Sequence, residues 1–328
     1  MQGNLRRRYS PKVAICLALA SVPFVGCNRA EPAKTHTIGV VQYDPILSPV
    51  FEGFKAKMVA LSHVEGKDVT YVYHGLLKPD PQVIEREVQA LKDQRVDVLL
   101  TLGTQPALAA KKVTAGTAIS VVFAPVLNPV GSGVVSDVTH PGGNVTGVRN
   151  GDTLPKSLEW LHRIVPSATK IYAIYHPKDA VAQTAIRSLP TVAAAIGVEL
   201  ALVEAQSPEE ALAVIATLPK GAALFFVPTP SLEPIGRLVE AAAQRGIAAA
   251  ANVDRAREAG VLVTYAVDWF AVGQQAARLV DQILKGAKPA DLPVETAEHF
   301  LHINLKAATA IGLTIPDDIL RQADLVIR

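Results

Sequence analysis

HTIGVVQY (36–43), FEGFKAKMVALSHV (51–64), DVTYVYHG (68–75), PQVIEREVQALKDQ (81–94), VDVLLTLG (96–103), QPALAAKKVT (105–114) and AISVVFAP (118–125) decide the fold. Short β-branched or apolar runs alternate with longer segments of helical period, the pattern of parallel strands joined by right-handed helical crossovers. The strands are apolar at consecutive positions rather than at alternate ones. Helices are therefore expected over both faces of the sheet.

The same grammar restarts after residue 150. SLEWLHRIV leads to TKIYAIYHP (169–177), AQTAIRSLPTVAAAIG to VELALVEA (198–205), SPEEALAVIATL to GAALFFVP (221–228), and LEPIGRLVEAAAQRG to IAAAANVD (247–254). A further strand, VLVTYAVD (261–268), and a helix from Trp269 to Leu284 follow, then a Pro-rich tail of short elements. A chain of 328 residues exceeds the size of one hydrophobic core. The expected fold class is α/β, with two doubly wound parallel-sheet lobes joined by a hinge. Residues 36–148 are assigned to the first lobe, completed by part of 266–295, and residues 149–265 to the second, completed by part of 296–328. Gly142-Gly143-Asn144 marks the expected crossing between them.

In open parallel sheets ligands sit beyond the carboxyl ends of the strands. That rule selects Gln42, Tyr43 and Asp44, then Gly103, Thr104 and Gln105, then Ala124, Tyr175, His176, Thr229, Asn252, Asp254, Tyr265 and Asp268. Tyr43, Tyr175 and Tyr265 are candidate walls, and Gln42, Thr104, Asn128, Thr229 and Asp254 candidate polar contacts, for a small polar molecule enclosed between the lobes.

Catalytic signatures are absent: the sequence has no nucleophile elbow, P-loop or HExxH motif. Gly131-Ser132-Gly133 gives half a dinucleotide fingerprint but follows Asn-Pro-Val rather than a strand, and reads as a loop. His299 and His302, three apart on a strand, point to opposite faces, and neither a metal nor a cofactor is expected. Asn144-Val145-Thr146 fits a glycosylation sequon only by accident. With 32 basic and 30 acidic residues and 5% aromatics, nothing indicates nucleic acid, and a binding protein rather than an enzyme is expected.

The N-terminus carries Arg6, Arg7, Arg8 and Lys12, then 14 apolar or small residues from Val13 to Gly26. That is a signal-peptide layout, and about 20 residues would be needed to span a bilayer. Residues 1–26 are assigned to the signal, and Phe24-Val25-Gly26-Cys27 resembles a bacterial lipobox. Cys16 would be discarded with the signal, leaving Cys27 to carry lipid and residues 27–35 to act as lipidated cysteine and tether. The mature chain is expected outside the cytoplasm, periplasmic or on the cell surface, anchored to the membrane and monomeric.

FAPVLNPVGSGVV (123–135), PGGNVTGV (141–148), ILKGAKPADLPVE (283–295) and INLKAATAIGLTIPDDILRQAD (303–324) resemble the ABC-transporter substrate-binding proteins of the TrpX-like family; IGVVQYDPILSPVFEGFK (38–55) and GTQPALAA (103–110) agree. The resemblance implies a type I periplasmic-binding fold with three crossovers, and delivery of a small ligand to a membrane permease and its ATPase. It also implies closure about hinges near Val148-Arg149-Asn150, Tyr265–Asp268 and the segment after Pro293. Some members bind aromatic amino acids through positions matching Gln42 and Gly103-Thr104. Two departures touch ligand choice: Tyr43-Asp44-Pro45-Ile46 replaces the family's His-Pro, and Pro230 replaces the acid after Val-Pro-Thr, leaving Asp44 or Asp254 to meet an ammonium group. The alternative reading is a sensory module that presents its ligand to a receptor or kinase.

Overall fold

The computed structural model describes residues 35–232 and 234–328. The first half runs β1 (His36–Gln42), α1 (Ser48–Ala60), β2 (Val69–Val72), α2 (Pro81–Asp93), β3 (Val98–Leu102), α3 (Thr104–Val113), β4 (Ser120–Val126) and β5 (Val145–Arg149). The second runs α4 (Leu154–Ile164), β6 (Lys170–Tyr175), α5 (Ala180–Ile196), β7 (Glu199–Glu204), α6 (Pro208–Thr217), β8 (Ala223–Phe226), α7 (Gly236–Gln244), β9 (Ala248–Ala251) and β10 (Val263–Val267). Then come α8 (Trp269–Leu284), β11 (Glu295–Thr296), β12 (His299–Asn304), α9 (Leu305–Ala310), α10 (Asp317–Leu320) and β13 (Leu325–Ile327).

Two sheets result, ordered β2-β1-β3-β4-β5-β11 and β7-β6-β8-β9-β10-β12-β13. Every residue of β3, β8 and β9 is buried, because apolar clusters cover both faces of each sheet. The first sheet is wholly parallel. The second departs from the expected all-parallel form, since β12 runs antiparallel to β10. The chain reaches β12 directly from β11 of the other sheet, with no helix to turn it round.

The crossing between lobes also differs from the expected one. Gly142 and Gly143 have φ of 69° and 64° and turn the chain into β5, which is still a strand of the first sheet. The first crossing is at 150–153, the second at Asp268 between β10 and α8, and the third at 297–298 between β11 and β12. β5 and β10 are both left at their carboxyl ends, and β12 enters with His299 opposite Val267, again at the carboxyl end of β10. All three crossings therefore lie on the carboxyl edges, so the two carboxyl edges are turned toward each other.

Although α8 follows a strand of the second sheet, it packs on the first. It crosses α1 closely: a methyl group on Gly53 would collide with the carbonyl oxygen of Phe270, and one on Gly273 with that of Val50. Just past the end of α1, His63 ties that helix to α8, its Nδ1 3.1 Å from Asp68 Oδ2 and its Nε2 2.9 Å from Asp281 Oδ1 within α8. Lys285 Nζ donates to the other oxygen of Asp281 at 2.8 Å.

Candidate functional site

Strand order changes direction at β1 in the first sheet, which has β2 on one side and β3 on the other, and at β6 in the second, between β7 and β8. The loops leaving adjacent strands diverge there and open a crevice at the carboxyl edge.

At the first switch point Gln42 ends β1 with only 1% of its surface exposed. Its Nε2 donates to Asp44 O at 2.8 Å and to Ser48 Oγ at 3.1 Å, and its Oε1 accepts from Tyr73 O–H at 3.1 Å. The amide thus fixes the start of α1 and the Tyr73 ring, which packs edge-on to Phe51. Burial pushes the Tyr73 phenol up, and burial followed by the charge of Asp44 pushes Tyr43 up, so both stay protonated donors at neutral pH. One oxygen of Asp44 accepts from Ile46 N–H at 3.0 Å.

Across the crevice, Gly103 precedes α3 with φ of 97°, a conformation that disfavours any side chain. It offers no side chain to cap the helix, and Pro106 has no N–H. Among the described residues the backbone N–H groups of Thr104 and Gln105 accordingly find no acceptor, at the positive end of a ten-residue helix. Ala124 is buried in β4. Asn128 is exposed, and its Oδ1 accepts from Gly131 N–H at 2.8 Å while its carbonyl accepts from Ser132; the glycine pair beside it is this turn, not a nucleotide loop.

At the second switch point Tyr175 is 6% exposed and belongs to the core; its O–H donates to Glu204 at 2.9 Å, and burial followed by that bond pushes its phenol up. Asp179 precedes α5 but does not cap it. Its carboxylate turns to the segment after β8, where Ser231 N–H donates to Oδ2 at 3.0 Å and Ser231 O–H to Oδ1 at 2.7 Å. Thr229, 3% exposed, has no partner for its Oγ1. Asn252 donates from Nδ2 to Thr153 Oγ1 at 3.2 Å, leaving its Oδ1 without one. Tyr265 stands over His299 with ring centroids 5.5 Å apart, and His299 Nε2 lies 3.0 Å from Asn150 O in the first crossing. Asp268 caps α8 by accepting from Phe270 N–H and Ala271 N–H with one carboxylate oxygen, Oδ1. Cys27 and the side chain of Asp254 lie outside the described residues.

Ser48, Tyr73, Thr153, Asp179 and Ser231 were not selected from the sequence. Tyr73 was hidden inside DVTYVYHG because β2 ends at Val72, making Tyr73 the first residue beyond the strand. Asp179 lies three residues past His176, in the helix-start pattern His-Pro-Lys-Asp. An open depression of about 630 Å³ beside Leu305, Lys306, Thr309, Ala310 and Arg328 is at the opposite edge of the second sheet, since α9 follows β12 at the start of β10. Among the described residues no three metal-ligating side chains converge, and no helix is long and apolar enough to cross a membrane.

Two doubly wound lobes with facing carboxyl edges and crevices at both switch points define a type I periplasmic-binding fold. Residues 38–327 match the model of the ABC transporter substrate binding protein family, and the chain belongs to that family. It is similar to the tyrosine-binding protein of Clostridioides difficile strain R20291, with 23% identity over 275 residues, 83% of this chain and 79% of the relative. Among solved structures it resembles a ligand-free, open substrate-binding protein with adhesive properties from Clostridium difficile (TM-score 0.76, 20% identity, 90% and 99% of the two chains). It also resembles an ABC domain in complex with L-Trp from Streptococcus pneumonia (TM-score 0.69, 22% identity, 90% and 100%).

Proposed function

We propose that this substrate-binding protein takes up an α-amino acid, encloses it by closure of the two lobes and delivers it to an ABC permease and its ATPase. The observation that carries the reading is the pair of unpartnered N–H groups at the start of α3, facing the crevice that Gln42, Ser48 and Tyr73 hold rigid. A helix N-terminus of this kind is matched to a carboxylate. The aromatic ligands named for the two relatives, tyrosine and L-Trp, support an amino acid with a large side chain. Tyr43, Tyr73 and Tyr265 are among the aromatic groups on these edges.

The same proposal places the mature chain outside the cytoplasm as a monomer, held to the membrane by lipid on Cys27, which keeps the carrier beside its permease. Two or three acyl chains give firm anchoring where one is marginal. Replacing Cys27 by Ser should move the protein from the membrane to the soluble fraction and leave ligand affinity unchanged; a Ser variant still retained by membranes counts against the anchor.

Thermal unfolding with each common amino acid tests the ligand. At 100 times Kd a true ligand adds about 2.7 kcal/mol of stability. No shift with any amino acid, in a protein that unfolds cooperatively, would reject the amino-acid reading.

A further inference from the structure

The two crevices contain helix starts of different charge, and the reason is visible in what precedes each helix. α3, which leaves β3, follows a glycine, so its positive end is bare; α5, which leaves the switch strand β6 of the second sheet, follows Asp179, whose carboxylate adds a negative charge. An N-cap aspartate ordinarily turns back onto its own helix. Asp179 does not, and instead bridges from the loop after β6 to the loop after β8, the two strands that flank the second switch point.

Its side chain is only 15% exposed, yet its two bonds come from neutral donors, the N–H and O–H of Ser231. His176 Nδ1 is 3.9 Å from Oδ1, but that nitrogen accepts the Lys178 N–H at 3.1 Å and so has no proton to offer. Among the described residues no lysine or arginine reaches the Asp179 oxygens. A largely buried carboxylate without a cation is costly, and proteins keep such groups where a charge is to be met. Thr229, two residues before Ser231, adds a second sign of a polar ligand here: its hydroxyl is buried and unpartnered.

We propose that Asp179 is the specificity-determining residue that receives the ammonium group of the ligand. The ligand class is then a zwitterion, carboxylate toward the α3 N-terminus and ammonium toward the second lobe, and its two charges bridge the lobes on closure. The assignment rests on the amino-acid reading above and identifies which residue discriminates an amino acid from the corresponding carboxylic acid. Asp44 is the competing carboxylate, but it stands on the first edge, where the ligand carboxylate is placed.

The test is calorimetric titration of the wild-type chain with the tightest-binding common amino acid and with its des-amino analogue, repeated for Asp179→Asn, Asp179→Glu and Asp44→Asn. Asp179→Asn should weaken the amino acid about thirty-fold or more, the effect of removing one partner of a buried charge pair, and leave the analogue unchanged. Asp179→Glu keeps the charge but displaces it, and should weaken the amino acid about ten-fold with the analogue again unchanged; it answers the question if the Asn variant does not fold. Equal amino-acid affinity in wild type and both Asp179 variants, or loss of discrimination in Asp44→Asn instead, overturns the assignment and leaves the amino-acid reading standing. A wild-type chain that binds no amino acid overturns the reading beneath it.

Discussion

The two switch points occupy equivalent places in equivalent sheets, yet they are finished differently. At the first, the side-chain amide of Gln42 is satisfied from both ends, and Tyr73, Ser48 and the turn at Asp44 are locked to it. At the second, no lysine or arginine among the described residues reaches Asp179, Thr229 has no partner for its hydroxyl, and Asn252 none for its side-chain oxygen. A network whose members are all paired is rigid before a ligand arrives, whereas polar groups left unpaired in a buried setting gain most from one. The difference teaches a division of labour: at the first switch point paired side chains form a preformed floor beside the bare start of α3, and the second supplies side chains whose pairing with ligand favours closure.

The comparison breaks most easily at Gln42. Replacement by Ala removes three hydrogen bonds from a buried site and should cost about 3 kcal/mol in chemical unfolding. A loss below about 1 kcal/mol would mean the network holds nothing in place.

A smaller effect is expected at the far end of the same lobe, where pairing continues through His63, Asp68, Asp281 and Lys285. Burial raises the Asp281 carboxyl, but the bonds from Lys285 and His63 outweigh it and bring the group below the ordinary carboxylate range. The Val64 N–H, against the opposing effect of burial, and then His63 lower Asp68 likewise. A carboxyl lowered on folding adds stability that is complete above its unfolded pKa, about 3.9, and is lost as pH falls through the folded value. Asp281→Asn should therefore cost about 2 kcal/mol near neutrality, with the gap from wild type closing below about pH 3.9. A gap that stays constant across that range would assign the cost to packing.

The smallest effect belongs to the second switch point. Thr229→Val removes a hydroxyl that has no partner, and should leave the stability of the ligand-free chain within about 0.5 kcal/mol or raise it. A loss of about 2 kcal/mol would show that the Thr229 hydroxyl is paired after all.

The alternation of apolar runs with helical segments placed β1 to β4 and β6 to β10, and the Trp269–Leu284 helix was bounded correctly from sequence. Periodicity is a local property, so it survives in the sequence. The antiparallel β12 was not legible, because direction in a sheet depends on where the chain last crossed rather than on side-chain pattern. The glycine pair at 142–143 was a true turn read as a crossing: a turn signal states that the chain bends, not which sheet it rejoins. Among site residues, those directly after strands were found at the edges, but Asn128 serves its own turn, and Asp268, picked out in the same way, caps its own helix.

Sequence alone determined the α/β class, the repetition of the unit, the loops that border the crevices and the features that match the substrate-binding family. Tertiary structure decided which polar groups meet. Asp179 and Ser231 lie 52 positions apart, and His63 and Asp281 lie 218 apart. Those pairs exist because strand order sets loops from distant segments side by side, and hydrogen bonding acts only over the few ångströms that such packing creates.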